Sequence, residues 1–311
     1  MKLAFVFPGQ GSQSVGMQRG YLQLPHIKET FDEASKIFGE DLWDLVTHGP
    51  AERLNLTTYT QPVMLVAGIA VYRAWLASGG RAPAIVAGHS LGEYTALVAS
   101  GALRFDDAVS LVSYRAQVMQ QAVPEGVGGM AAIIGLADDA VLDLCRQAAQ
   151  GQVLEAANFN APSQVVIGGH KEAVHRGAEL AKARGAKRSV MLPMSVPVHC
   201  SLMRPAAEKL AAYLSDVPLT VPAVPVIQNA DVRSHAEPAA IKEALCRQLY
   251  SPVRWVQTVH YLASQGVTHL VECGPGKVLG GLNKRIAHEL VNYTLADAAS
   301  ISQVAGALPK D

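Results

Sequence analysis

The five residues Gly88-His-Ser-Leu-Gly92 constrain this chain more than any other stretch of it. A short apolar run, 84–87, precedes them, and helix-forming residues, 93–99, follow. A strand that turns sharply into a helix, with serine at the apex, is the setting in which G-x-S-x-G forms a nucleophile elbow. Small residues on both sides let the backbone strain into the turn and leave the Ser90 hydroxyl exposed at a helix N-terminus. Backbone N–H groups there can bind a developing oxyanion. The competing reading is a serine that merely caps the helix.

Around the elbow, short apolar runs alternate with helical patterns. A strand at 3–7, helices around 27–38 and 62–77, a strand at 84–87 and helices from Gly92 and Asp106 follow one another. That order predicts an α/β fold with a largely parallel sheet. After the flexible junction Gly126-Val-Gly-Gly129 the pattern changes to strand 130–135, helix 138–149, strands 153–158 and 164–168, helix 171–184 and strand 187–193. This is βαββαβ, the ferredoxin-like order. Beyond Met194 the first pattern resumes, including a strand at 268–273. The economical division is one large α/β domain in two segments, 1–125 and 195–311, with a ferredoxin-like small domain, 126–194, inserted between them.

Composition excludes several classes. Half of the 311 residues are hydrophobic, enough for a sizeable core, and the formal net charge of zero gives no basic surplus for nucleic acid. Four cysteines are scattered without a C-x-x-C pair, as in a cytoplasmic protein with reduced thiols and no metal site. The apolar run at 3–7 stops at Pro8-Gly9, too soon for a signal peptide, and the apolar stretch from Val63 is interrupted at Arg73, too soon to span a bilayer. A soluble protein with no membrane association is expected.

Other residues carry possible chemistry. Gln10, flanked by Gly9 and Gly11, follows the first strand, where a parallel sheet places its ligand crevice; an ordinary glycine turn is the alternative. The loop is no dinucleotide fingerprint, because Ser14 stands at the third glycine position. The helix expected to be capped by Asp106 carries an apolar stripe through Ala108, Val112, Met119 and Ala122, and Arg115 falls on that stripe. A guanidinium facing a core or cleft needs an anion: an internal glutamate or aspartate, or a substrate carboxylate held by both prongs. His199 opens a helical run, 202–214, and a helix N-terminus disfavours the imidazolium and keeps a neutral base available. His89 is read as support beside the serine, and Cys200 as a weak rival nucleophile. Gly274-Pro-Gly-Lys277 lacks the phosphate-loop spacing and reads as a turn. The basic cluster Lys182, Arg184, Lys187 and Arg188 is either a solvated face or a contact for an acidic partner.

Taken together, these residues resemble the malonyl-CoA:acyl carrier protein transacylase family of fatty acid synthesis. The matching segments are Phe5-Val-Phe-Pro-Gly-Gln-Gly-Ser-Gln13, Gly88-His-Ser-Leu-Gly-Glu-Tyr94, Arg115 with Met119, Asn158-Phe-Asn160, 196–199, Gln248-Leu-Tyr-Ser-Pro-Val253 and Gly274-Pro-Gly-Lys277. The resemblance implies an α/β-hydrolase-like domain with a ferredoxin-like insert. It implies Ser90 as nucleophile, His199 as general base, and the backbone N–H groups of Gln10 and Leu91 as oxyanion hole. Arg115 would pair with the malonyl carboxylate, and Gln248 would orient His199 through its backbone carbonyl. Gln61, Asn160, Met119 and Val198 would line the pocket; many relatives have serine where this chain has Val198. Malonyl-CoA and the phosphopantetheine thiol of acyl carrier protein would be the substrates, with no further cofactor. A serine thioesterase or esterase built on the same elbow, and a non-catalytic module that binds carrier protein, are the alternatives.

Overall fold

The computed structural model describes residues 1–194 and 196–308. Its strands are β1 (Leu3–Phe7), β2 (Ile85–Gly88), β3 (Gly128–Ile134), β4 (Leu154–Ala161), β5 (Gln164–His170), β6 (Arg188–Met191), β7 (Val226–Ile227), β8 (His269–Glu272) and β9 (Val291–Thr294). β1 is apolar at every position because both of its faces are covered. Leu3, Phe5 and Phe7 enter the larger core, while Ala4 and Val6 enter a second core on the opposite side. β2 divides in the same way, Val86 to the first core and Ile85 and Ala87 to the second. Side-chain period two thus builds a layer buried on both sides, which suits a parallel sheet. The five strands β7-β2-β1-β8-β9 are all parallel.

A second sheet draws all its strands from 128–191, in the order β4-β5-β3-β6 and antiparallel throughout. With the helices Asp138–Ala149 and Lys171–Ala183 in the two crossovers, it has the ferredoxin-like arrangement. Ala131, Ile133, Val165 and Ile167 pack under those helices, whereas Met130 and Val166 point to the other face. The second sheet is tied at β4 to the segment before the helix Trp255–Ser264: Phe159 N–H donates to the Val253 carbonyl and Val253 N–H to that of Ala157, both at 2.9 Å.

Several boundaries differ from those read in the sequence. The helix Thr57–Ala77 starts five residues before Pro62, leaving the proline inside it. Burial of Thr57, Thr60 and Gln61, with the Thr60 hydroxyl donating to Leu54 O at 2.6 Å, outweighs the backbone bond that Pro62 cannot make. The helix Phe105–Ala122 has Arg104 at its cap, without a side-chain bond; Asp106 is not the cap but sits with Asp107 in the first turn, facing the positive end of the helix dipole. β4 runs on to Ala161 and so carries both Asn158 and Asn160. β6 ends at Met191, short of Pro193, which has no N–H to offer a ladder.

Candidate active site

Ser90 stands between β2 and the helix Gly92–Ala99 with φ of 52°, the left-handed backbone of a strained elbow. The turn can be this tight because a Cβ on Gly92 would lie 2.1 Å from the Phe7 carbonyl oxygen. The loop after β1 also presses close to the elbow, since a Cβ on Gly9 would lie 2.5 Å from His89 O. Gln10 therefore arrives beside Ser90 at the C-terminal end of the parallel sheet, and its amide donates to the Thr57 hydroxyl at 3.5 Å. Among the described residues no acceptor occupies the backbone N–H of Gln10 or of Leu91.

The Ser90 hydroxyl lies 2.7 Å from His199 Nε2. The other ring nitrogen, Nδ1, lies 2.8 Å from the Gln248 carbonyl oxygen. A carbonyl can only accept, so Nδ1 carries the proton and Nε2 presents a lone pair to the serine. His199 itself has φ of 62°, and its N–H donates to Leu249 O at 3.0 Å. Burial, and secondly the Arg115 guanidinium, push its pKa down to about 3. The neutral base expected from the sequence is present for a different reason. His199 stands just before a 3-10 turn, Ser201–Met203, that runs straight into the helix Arg204–Asp216, as the sequence led one to expect, but burial rather than the helix dipole is the main cause of the shift. Ser195, four residues before His199, lies outside the described residues.

Arg115 is buried on the helix Phe105–Ala122. Nη1 donates to Gln61 Oε1 at 2.5 Å, and Nη2 to Gln248 Oε1 at 2.9 Å and Ser90 Oγ at 3.4 Å, while the guanidinium lies 5.2 Å from the Tyr94 ring centre. All three acceptors are neutral. No carboxylate pairs directly with Arg115 among the described residues, so the internal ion pair weighed from the sequence is not formed. Beyond Ser90 a cleft of about 420 Å³ opens, lined by Gln10, Leu91 and Val198 together with Met130 and Asn160 of the second sheet. Met119 borders it too, its sulfur 3.6 Å from the Gln61 amide nitrogen. His89 backs the wall as expected, with Nε2 2.8 Å from Asn160 Oδ1 and its ring against Trp255.

Two residues of the site were not singled out in the sequence. Asn229 Oδ1 accepts the Ser90 N–H and Asn229 Nδ2 donates to Gly88 O, both at 2.7 Å, clamping the elbow from both ends. The Glu93 carboxylate accepts from the Asn229 N–H at 2.8 Å and the Gln248 amide at 2.9 Å. The available signals were a polar pair, Gln228-Asn229, directly after a strand of the parallel sheet, and the one acidic residue in the helix Gly92–Ala99, which has no other charged side chain. Other candidates fall away. Cys200 is buried, its thiol donates to Pro197 O at 3.0 Å, and burial pushes its pKa up to about 12. The N–H groups of Leu279 and Gly280 after the Gly274–Gly276 turn are taken by Glu272, not left for a phosphate. Lys182 and Arg184 are engaged with Glu179 and Asp143.

An acyl transferase domain matches residues 4–311. The malonyl CoA-acyl carrier protein transacylase of Salmonella typhimurium is 54% identical over 302 residues, 97% of this chain and 98% of that protein. The chain belongs to this acyl transferase family. Solved members superpose closely. An acyl-carrier-protein S-malonyltransferase from Burkholderia pseudomallei has a TM-score of 0.97 at 56% identity, covering 98% of this chain and all (100%) of its own. A malonyl-transacylase in complex with its type II PKS acyl-carrier protein has a TM-score of 0.98 at 48% identity, covering 99% of this chain and 100% of its own. As a member of the family this protein is an enzyme, an acyltransferase. That removes the non-catalytic module from the readings of the sequence. Among the described residues no helix is long and apolar enough to cross a membrane.

Proposed function

We propose that the protein transfers the malonyl group of malonyl-CoA to the phosphopantetheine thiol of acyl carrier protein through an ester on Ser90, and so supplies fatty acid synthesis. The observation that carries this reading is Arg115. It is a buried cation with only neutral partners, 3.4 Å from the nucleophilic oxygen, and so an acceptor for an acyl group that ends in a carboxylate.

His199 Nε2 takes the Ser90 proton as Oγ attacks the thioester carbon. The oxyanion of the tetrahedral intermediate lies at the free N–H groups of Gln10 and Leu91. On collapse the C–S bond breaks, and the imidazolium returns its proton to the departing coenzyme A sulfur. Deacylation repeats these events in reverse with the carrier-protein thiol: His199 takes the thiol proton, sulfur attacks the ester, and the Ser90 oxygen recovers the proton. The Gln248 carbonyl, not a carboxylate, holds the imidazole in the tautomer both halves need. Thioester becomes ester and then thioester again without a change of oxidation state, so the reading calls for no metal or redox cofactor. Gln61, Met119, Asn160 and Val198 shape the pocket around the acyl chain. The cleft keeps water from the ester, which separates transfer from hydrolysis. Such substrates, together with four free cysteines, suit the cytoplasm.

Intact-mass measurement after mixing with malonyl-CoA is expected to find one malonyl group, lost in a Ser90→Ala variant. Adding phosphopantetheinylated carrier protein should move it to the carrier. Release of free malonate outpacing transfer, with carrier present, would make the protein a thioesterase instead.

A further inference from the structure

Two buried ionisable side chains, Glu93 and Arg115, flank the Gln248 amide without touching each other, and burial pushes the Glu93 carboxyl up to about 8. Its Oε1 accepts from Arg115 Nη2 at 2.9 Å, and its Nε2 donates to Glu93 Oε2 and to Ser90 O, each at 2.9 Å. Glu93 and Arg115 are both fully enclosed, at 0% and 1% exposure. The two ends of a glutamine amide are almost the same shape, so its partners alone decide which end points where. Here the carbonyl end faces the cation and the N–H end the carboxyl. Turned over, it would set N–H against the guanidinium, donor against donor.

A direct Glu93–Arg115 pair would saturate the guanidinium's fork. With the amide interposed, the guanidinium has no carboxyl partner of its own and stays turned to the cleft. We propose that Glu93 is a positioning residue for acyl specificity: by fixing the orientation of Gln248 it holds Arg115 free of a direct ion pair and aimed at the acyl carboxylate. This rests on the reading that Arg115 receives the malonyl carboxylate. The same Glu93 oxygen also accepts the Asn229 N–H behind the elbow, but that support serves every acyl group alike.

The test is single-turnover acylation of Ser90 by malonyl-CoA and by acetyl-CoA, followed by intact mass. It compares the wild-type protein with Glu93→Gln, which keeps an acceptor in place, Glu93→Asp, which retracts it by one methylene, and Glu93→Met, which removes it. The wild-type protein and Glu93→Gln should prefer malonyl. Glu93→Asp and Glu93→Met should lose that preference by about tenfold, the scale of one hydrogen bond to a charged group, mainly through weaker malonyl-CoA saturation. Equal losses for both acyl groups would make Glu93 a scaffold residue and overturn the inference. So would a preference kept by Asp and lost by Gln, because charge rather than acceptor position would then be what matters. If Glu93→Met does not fold, the Asp and Gln variants decide between these outcomes. A wild-type protein with no malonyl preference would instead overturn the reading of Arg115.

Discussion

Acylation of Ser90 should be nearly indifferent to pH where an ordinary histidine base would fail. His199 is pushed from 6.5 down to about 3, first by burial and second by Arg115. Such a shift favours the neutral imidazole by about 5 kcal/mol, at about 1.4 kcal/mol per pH unit. At pH 5 an unshifted imidazole would be only about 3% neutral, whereas His199 would be about 99% neutral, a difference of about thirtyfold in usable base. Because kcat/KM reports the free enzyme, the relevant assay is its pH profile for acylation between pH 5 and 8. Malonyl-pantetheine is the better donor, since it lacks the phosphates of coenzyme A, one of which titrates near pH 6. The expected profile is flat to within about twofold over that range, against the thirtyfold fall of an unshifted base. A fall centred near 6.5 would refute the argument, because it would mean that solvent reaches His199. Arg115→Ala gives an internal control. It removes the second cause of the depression, so its profile should turn down at higher pH than that of the wild type.

Three further outcomes follow from the same geometry. The unfolded chain binds the His199 proton near 6.5 and the folded one only near 3, so stability should drop as pH falls through that window. The loss from this residue is about 2 kcal/mol at pH 5, to be read from urea melts of wild type against His199→Gln. Arg115→Ala should cost malonyl transfer about 3–5 kcal/mol, the usual cost of deleting one partner of a buried charge pair, or about two to four orders of magnitude in kcat/KM. Acetyl transfer should fall less or even rise, and equal losses would mark Arg115 as structural. Gly92→Ala forces a methyl to 2.1 Å from Phe7 O and should destabilise the fold by about 3 kcal/mol or more, seen as a lowered Tm; an unchanged Tm would mean that the elbow relaxes at no cost.

The features legible in the sequence were those encoded over a few neighbouring residues. The apolar strand, the glycines of the turn and the following helix mark the elbow, because backbone sterics act locally. Strand-helix order announced the parallel sheet and the βαββαβ unit, because side-chain period separates the two element types. Helical spacing alone put Arg115 on a buried stripe. Tertiary structure decided the rest. Ser90 meets His199 across 109 residues, and Gln248 supports both from a third element. Asn229 enters the site only because β7 lies beside β2, a neighbour relation set by chain crossovers and invisible to local pattern, and Glu93, though only three residues after Ser90, finds its partners Asn229 and Gln248 only through that packing. The neutrality of His199 was foreseen, but its cause was not. A helix terminus can be read from a sequence, whereas burial and a guanidinium brought from 84 positions away along the chain (199 − 115) exist only once the sheets have packed.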